Sequence, residues 1–246
     1  MTGTPDSDRE PSYAELAADF EPALLFLSRV FLEPPDREFL ERTASEELLD
    51  DWPLPTNCDA AVGLAMMKNG LAAAAAGAWK DLAADYVDLF AGGRLLAPPF
   101  ESVYRGKDRL MFEGVTLEVR EIYRGCGLEI PDKNAVPDDH IGYELLFLAW
   151  LCGQAASSPN TNEDASLCAA RDASGSALSR DAAGRPSARA ETAGFLSQHL
   201  LPWAGRFVKA VIDHASTSFY RGAAHLMNGT IRLLARSLGL HDPHKH

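Results

Sequence analysis

The sequence predicts an all-α protein, a single-domain helical bundle of two helical halves joined by a hinge. Three observations lead there. Apolar residues recur at steps of three and four along most of the chain. The strict alternation of a half-buried strand is missing over any useful length. The punctuation between periodic segments is that of helices, with capping residues in front and Pro-Pro or Gly-Gly pairs behind. With 246 residues and 46% hydrophobic content, the chain has enough apolar side chains for a sizeable core. The expected domain covers residues 12–240, between polar tails at 1–11 and 241–246.

Ser12 with Glu15 has the form of a capping box and opens a helix through Leu16, Phe20, Leu24, Leu27 and Phe31, with a kink or restart expected at Pro22 and a stop at Glu33-Pro34-Pro35. Asp36 is placed to cap a short helix through Phe39 and Leu40. Trp52-Pro53-Leu54-Pro55 is a stiff loop before an Ala-rich helix over 59–71. The next helix carries Trp79, Leu82, Tyr86, Leu89 and Phe90 and ends at Gly92-Gly93. Pro98-Pro99-Phe100-Glu101-Ser102-Val103-Tyr104 reads as an ordered loop, since two prolines restrict the backbone and two aromatic rings need packing partners.

Residues 115–127 form an amphipathic helix with Val119, Ile122, Tyr123 and Cys126 on one side, and Gly127 supplies its left-handed terminus. A hinge over about 131–139 leads into an apolar helix from Ile141. Residues 155–192 are rich in Ala, Ser, Asp, Arg and Gly, with Leu167 and Leu178 as the large aliphatics, so they cannot bury enough area to offset their ordering entropy. They are expected to form a flexible insertion. Residues 195–240 regain a helical stripe of Phe207, Val211, Ala215, Phe219, Ala223, Leu226 and Leu234.

The net charge of -12 argues against nucleic-acid binding, which needs a basic face, and suits a cationic partner. The apolar run 145–152 is far short of the ~20 residues of a membrane span. The polar start of the chain lacks the apolar stretch of a secretory signal, so a cytoplasmic location is expected. Cys58, Cys126, Cys152 and Cys168 form no C-x-x-C pair, and His199, His214 and His225 lack i, i+4 spacing, so no metal site is expected. Nor is there a phosphate-binding glycine loop, a nucleophile elbow or an H-E-x-x-H motif.

What remains are constellations of binding type. Pro137-Asp138-Asp139-His140 delivers carboxylates and an imidazole to the start of the apolar helix. One carboxylate can cap that helix while the other stays free for a guanidinium or ammonium group. Tyr86, Leu89 and Phe90, at i, i+3 and i+4, share a helix face that either joins the core or lines a groove, and Phe100, Ser102 and Tyr104 could wall the same groove.

The order Tyr86-x-x-Leu89-Phe90, Pro98 to Tyr104, Val119-Arg120-x-x-Tyr123, Pro137-x-Asp139-His140-Ile141-x-x-Glu144-Leu145 and His199-Leu200-x-Pro202-Trp203 resembles the TorD/DmsD family of molybdoenzyme chaperones. The resemblance implies a non-catalytic, cytoplasmic, all-helical accessory protein. Its implied partner is the twin-arginine leader of a molybdopterin oxidoreductase, with the apo form of that catalytic subunit held back until its cofactor is inserted. It also implies a peptide site made of Tyr86, Leu89, Phe90, Pro98, Pro99, Phe100, Ser102, Pro137, Asp139 and His140, with Asp139 facing the leader's arginines. Some relatives bind guanine nucleotide weakly. Where the family has Glu before this proline the chain has Val136, which leaves Asp138 or Glu101 to replace that anionic contact. Two alternatives follow: an assembly chaperone for a non-exported nitrate-reductase-type enzyme, and a GTP hydrolase using Asp139 and His140 as acid and base.

Overall fold

The computed structural model describes residues 13–106, 114–130, 136–157 and 187–240. Ser12, Cys168, both tails, hinge residues 131–135 and insertion residues 158–186 lie outside them. Among the described residues the chain forms helices α1 (Tyr13–Leu32), α2 (Arg37–Ser45), α3 (Cys58–Ala73), α4 (Trp79–Tyr86), α5 (Glu101–Arg105), α6 (Gly114–Gly125), α7 (Ile141–Ser157), α8 (Ala188–Phe195), α9 (Leu201–His214) and α10 (Ser218–Ser237). Wide π turns over Ala74–Ala78, Val87–Ala91 and Leu196–Leu200 extend α3, α4 and α8. One isolated antiparallel bridge, Phe100 to His140, is the extended pairing among these residues. The all-α class holds.

Local chemistry sets many of the boundaries. Asp36 accepts the N–H of Phe39 at 2.7 Å and starts α2. Asn57 does the same for α3 through Ala60. Gly127, at φ 76°, closes α6 in the left-handed region. Helix α1 passes through Pro22 without the restart its sequence suggested. Phe20, Ala23, Leu24 and Leu27 on both sides of the proline are sealed in the core, so packing holds the helix where one backbone bond is lost.

Helices from before and after residues 131–139 pack on one another. Helix α1 lies antiparallel to α7, with Ser28 Oγ donating to the carbonyl of Gly142 at 2.8 Å and Tyr13 bonded to Cys152 and Thr192. Helix α3 lies antiparallel to α10. The helices before the hinge therefore pack on those after it, around one contiguous core. The α3–α10 seam is made of backbone: a Cβ built on Gly222 would stand 2.6 Å from both the carbonyl oxygen of Gly63 and the amide nitrogen of Met67.

The C-terminal stripe runs along two helices separated at Ala215, Ser216 and Thr217, and its seven apolar residues are all buried. The Asp85 carboxylate, from α4, accepts the N–H groups of Ser216 (3.0 Å) and Thr217 (2.9 Å), and Arg221 donates back to the Ala215 carbonyl. The insertion is shorter than predicted at both ends, since α7 runs to Ser157 and α8 begins at Ala188 on an N-cap from Ser187. Thr192 is fully buried because Tyr13 reaches it.

Gly222→Ala is expected to cost about 2 kcal/mol by overpacking the seam, lowering the melting temperature by about 4–8 °C. Gly93→Ala, where no atom lies within 4 Å of the new methyl, serves as the reference in the same thermal melts.

Candidate functional site

Two segments far apart in sequence zip together at one end of the bundle. Ile141 donates its N–H to the Pro99 carbonyl at 2.8 Å, and Glu101 donates to the Asp139 carbonyl at 3.0 Å. The Phe100 ring meets the His140 ring edge-on at 5.3 Å. Pro98, Pro99, Phe100, Ser102, Pro137, Asp139 and His140 thus converge, and the expected loop contains the short helix α5.

Asp139 does not face outward. It is fully buried; Oδ2 accepts the Ser102 N–H at 2.7 Å and Oδ1 accepts the Thr116 hydroxyl at 2.8 Å. The expectation that it presents a free carboxylate to a leader is corrected: it caps α5 from outside that helix and ties α5, α6 and the start of α7 together. His140 accepts the Gly142 N–H on Nδ1 at 3.0 Å, and burial holds its pKa down at about 3. The imidazole is neutral at physiological pH.

Around this knot sits a cluster of further carboxyl groups. The Asp138 carboxylate takes Nε and Nη2 of Arg120 at 2.9 and 2.6 Å. Glu101, fully buried, is paired with Arg105 and lies 3.1 Å from Nδ1 of His199. Arg105 also donates to the Gln198 carbonyl at 2.8 Å. Glu144 accepts the Trp203 indole N–H on Oε2 at 3.2 Å and shares a side-chain hydrogen bond with Glu101. Burial, followed by the negative charges of Glu101 and Asp139, pushes the Glu144 carboxyl well above the usual range. The Ser102 hydroxyl and the Tyr104 phenol are buried without partners among the described residues.

Tyr86, Leu89 and Phe90 lie beneath this cluster, inside the core. Leu89 is fully buried, and Phe90 is ringed by Phe31, Tyr86, Phe207 and Tyr220 at 5.4–6.0 Å between centroids. Of the two readings open for this face, the core is the one observed. The face still supports the junction, because the Leu89 carbonyl accepts the Ala97 N–H at 3.0 Å and Phe207 packs on Trp203 at 5.7 Å.

A groove of about 360 Å³ opens beside the cluster between α6 and α8, lined by Ile122, Cys126, Phe147, Phe195, Gln198 and His199. A second cleft of about 520 Å³ lies between α1 and α2, where Arg29 is already engaged by Glu33 and Asp36. Among the described residues no group of His, Cys, Asp or Glu is arranged to hold a metal ion, and no helix is long and apolar enough to cross a membrane. Sequence reasoning passed over Arg105, Thr116 and the pairing of His199. The i, i+4 spacing of Glu101 and Arg105 is a readable signal for one contact, whereas nothing local points His199 at Glu101.

Arg120→Ala leaves a carboxylate whose side chain is 3% exposed without its partner. A loss of about 3 kcal/mol in urea denaturation is expected, with Arg124→Ala, at exposed pairs, within about 0.5 kcal/mol of wild type. Because the folded pKa of His140 lies below its unfolded value, its contribution is complete above about pH 6.5 and is lost as the pH falls toward 3. Imidazole NMR signals of His140 should therefore not titrate between about pH 8 and 5.

Sequence comparison places these features among known proteins. The model of the nitrate reductase delta subunit family matches residues 57–209. The chain is 27% identical over 217 residues to the Tat proofreading chaperone DmsD of Salmonella typhimurium, covering 87% of each. It is 33% identical over 151 residues to the chaperone protein YcdY of Escherichia coli, covering 61% of each. It is 30% identical over 147 residues to the chaperone protein TorD of Vibrio cholerae, covering 59% of this chain and 57% of that one. The chain belongs to the nitrate reductase delta subunit family and, within it, to the TorD/DmsD redox-enzyme maturation chaperones.

Proposed function

We propose that this chaperone works in the cytoplasm, binds the twin-arginine leader of a molybdopterin oxidoreductase subunit, and holds the apoenzyme until its cofactor is inserted. The observation that carries the reading is the junction of the 98–105 and 137–144 segments, where Glu101, Asp138, Asp139 and Glu144 gather at one end of an acidic protein. A basic leader is drawn toward such a field, and guanidinium groups match carboxylates in bidentate geometry. Asp139 acts by holding the site in shape. Glu101 and Asp138, each covered by a partly exposed arginine, are the carboxylates a peptide can reach. The name of a similar protein, Tat proofreading chaperone, supports the same partner.

The family's description as nitrate reductase delta subunit favours a second reading, in which the client is a non-exported enzyme without paired arginines. Titration calorimetry separates the two. With a twin-arginine leader peptide, wild type should bind, and the same peptide with both arginines replaced by lysine should bind about ten- to a hundredfold more weakly, the equivalent of about 1.5–3 kcal/mol. Absence of heat together with absence of peptide protection in hydrogen exchange would overturn leader binding for this chain.

A further inference from the structure

Resting on that reading, we infer that Arg105 is an internal stand-in for an arginine of the client: it occupies Glu101 in the free protein and is displaced by the incoming guanidinium, while an apolar residue beside that arginine enters the groove between α6 and α8.

Glu101 is fully buried, and a buried carboxylate stripped of its cation is strongly destabilising. The free protein therefore has to keep a cation there. Arg105 supplies it from a side chain that is still 31% exposed, so it can swing out without unpacking the core. An exchange of one guanidinium for another leaves the electrostatics of Glu101 nearly unchanged. The net affinity must then come from elsewhere, and the groove is next to the exchange point. The second hydrogen bond of Arg105 goes to the carbonyl of Gln198, a residue that lines the groove with its neighbour His199. His199 lies 3.1 Å from the other oxygen of Glu101 and stacks on Phe195 at 5.1 Å, and Phe195 meets Phe147 at 4.8 Å. The path from carboxylate to groove wall is thus one continuous set of contacts.

The cluster also holds unmet hydrogen-bonding capacity. The Ser102 hydroxyl and the Tyr104 phenol have no partner among the described residues, and Arg105 reaches its acceptors through Nη1. A guanidinium entering deeper than Arg105 carries five N–H donors to offer such groups. The occupant that fits is an extended peptide in which an arginine is followed closely by apolar residues.

The test uses the full chain and a fluorescein-labelled leader peptide followed by anisotropy. Removing the internal competitor in Arg105→Gln should tighten binding about tenfold, because a larger fraction of the protein is competent to bind. Arg124→Gln, exposed and paired with Glu121 and Glu129, should bind as wild type does. Arg105→Gln is expected to melt at a lower temperature than wild type, and unchanged or weaker affinity at a temperature where its circular dichroism spectrum is that of the folded protein overturns the exchange while wild-type binding keeps the leader reading intact. If neither wild type nor any variant binds, the leader reading itself falls. A second measurement needs no mutation: saturating peptide should slow maleimide labelling of the groove residue Cys126 at least fivefold, read by mass spectrometry, and leave exposed Cys58 unaffected. A peptide with serines in place of its apolar residues should lose that protection. Equal labelling of Cys126 with and without the leader overturns occupation of the groove.

Discussion

The carboxylate of Asp139 is the constraint on which the functional end of this molecule depends. It takes a backbone N–H from the start of α5 and a hydroxyl from α6, and its own chain leads directly into α7. None of those three helices has a strong reason of its own to meet the others. Helix α5 has five residues, too few to be stable by itself, and its first turn is held by an acceptor from 37 residues away. A charge-assisted acceptor in a dry site is worth about twice a neutral one, which suits a side chain that organises backbone. The arginines that cover Asp138 and Glu101 then sit on elements already fixed in place.

The same device recurs on the opposite side of the chain. Asp85 caps the entry to α10 across 131 or more residues, turning what could have been one long C-terminal helix into two. Both aspartates spend their charge on backbone N–H groups, and both link segments that pack across the sequence midpoint. The interleaving of α1 with α7 and α3 with α10 follows the same logic, since neither half could bury its apolar faces alone.

These cases also mark the limit of what the sequence makes legible. Elements whose ends are set by neighbours in the chain were readable: Asp36 before α2, Gly127 after α6, the Pro-Pro and Gly-Gly stops, and the apolar face of α7. Elements set by a distant acceptor were not, which is why α5 read as a loop. For the site, the convergence of the proline loop with the Pro137–His140 segment was visible through the resemblance of ordered motifs. The direction each side chain takes was not. Periodicity says that Tyr86, Leu89 and Phe90 share a face, but whether that face meets water or Phe207 is decided by helices more than 100 residues later. A doubled aspartate likewise permits one free carboxylate without saying that Arg120 already holds it.

The burial of Glu144 has a thermodynamic consequence. The folded chain retains a proton on that carboxyl above the range in which an unfolded glutamate gives it up, so between those two limits the chain draws a hydrogen ion from its buffer as it folds. Its stabilising share is greatest in acid, below the ordinary glutamate range, and drains away as the solution becomes more alkaline. Calorimetric enthalpies of folding measured between those limits therefore contain the ionisation heat of whichever buffer surrenders the ion.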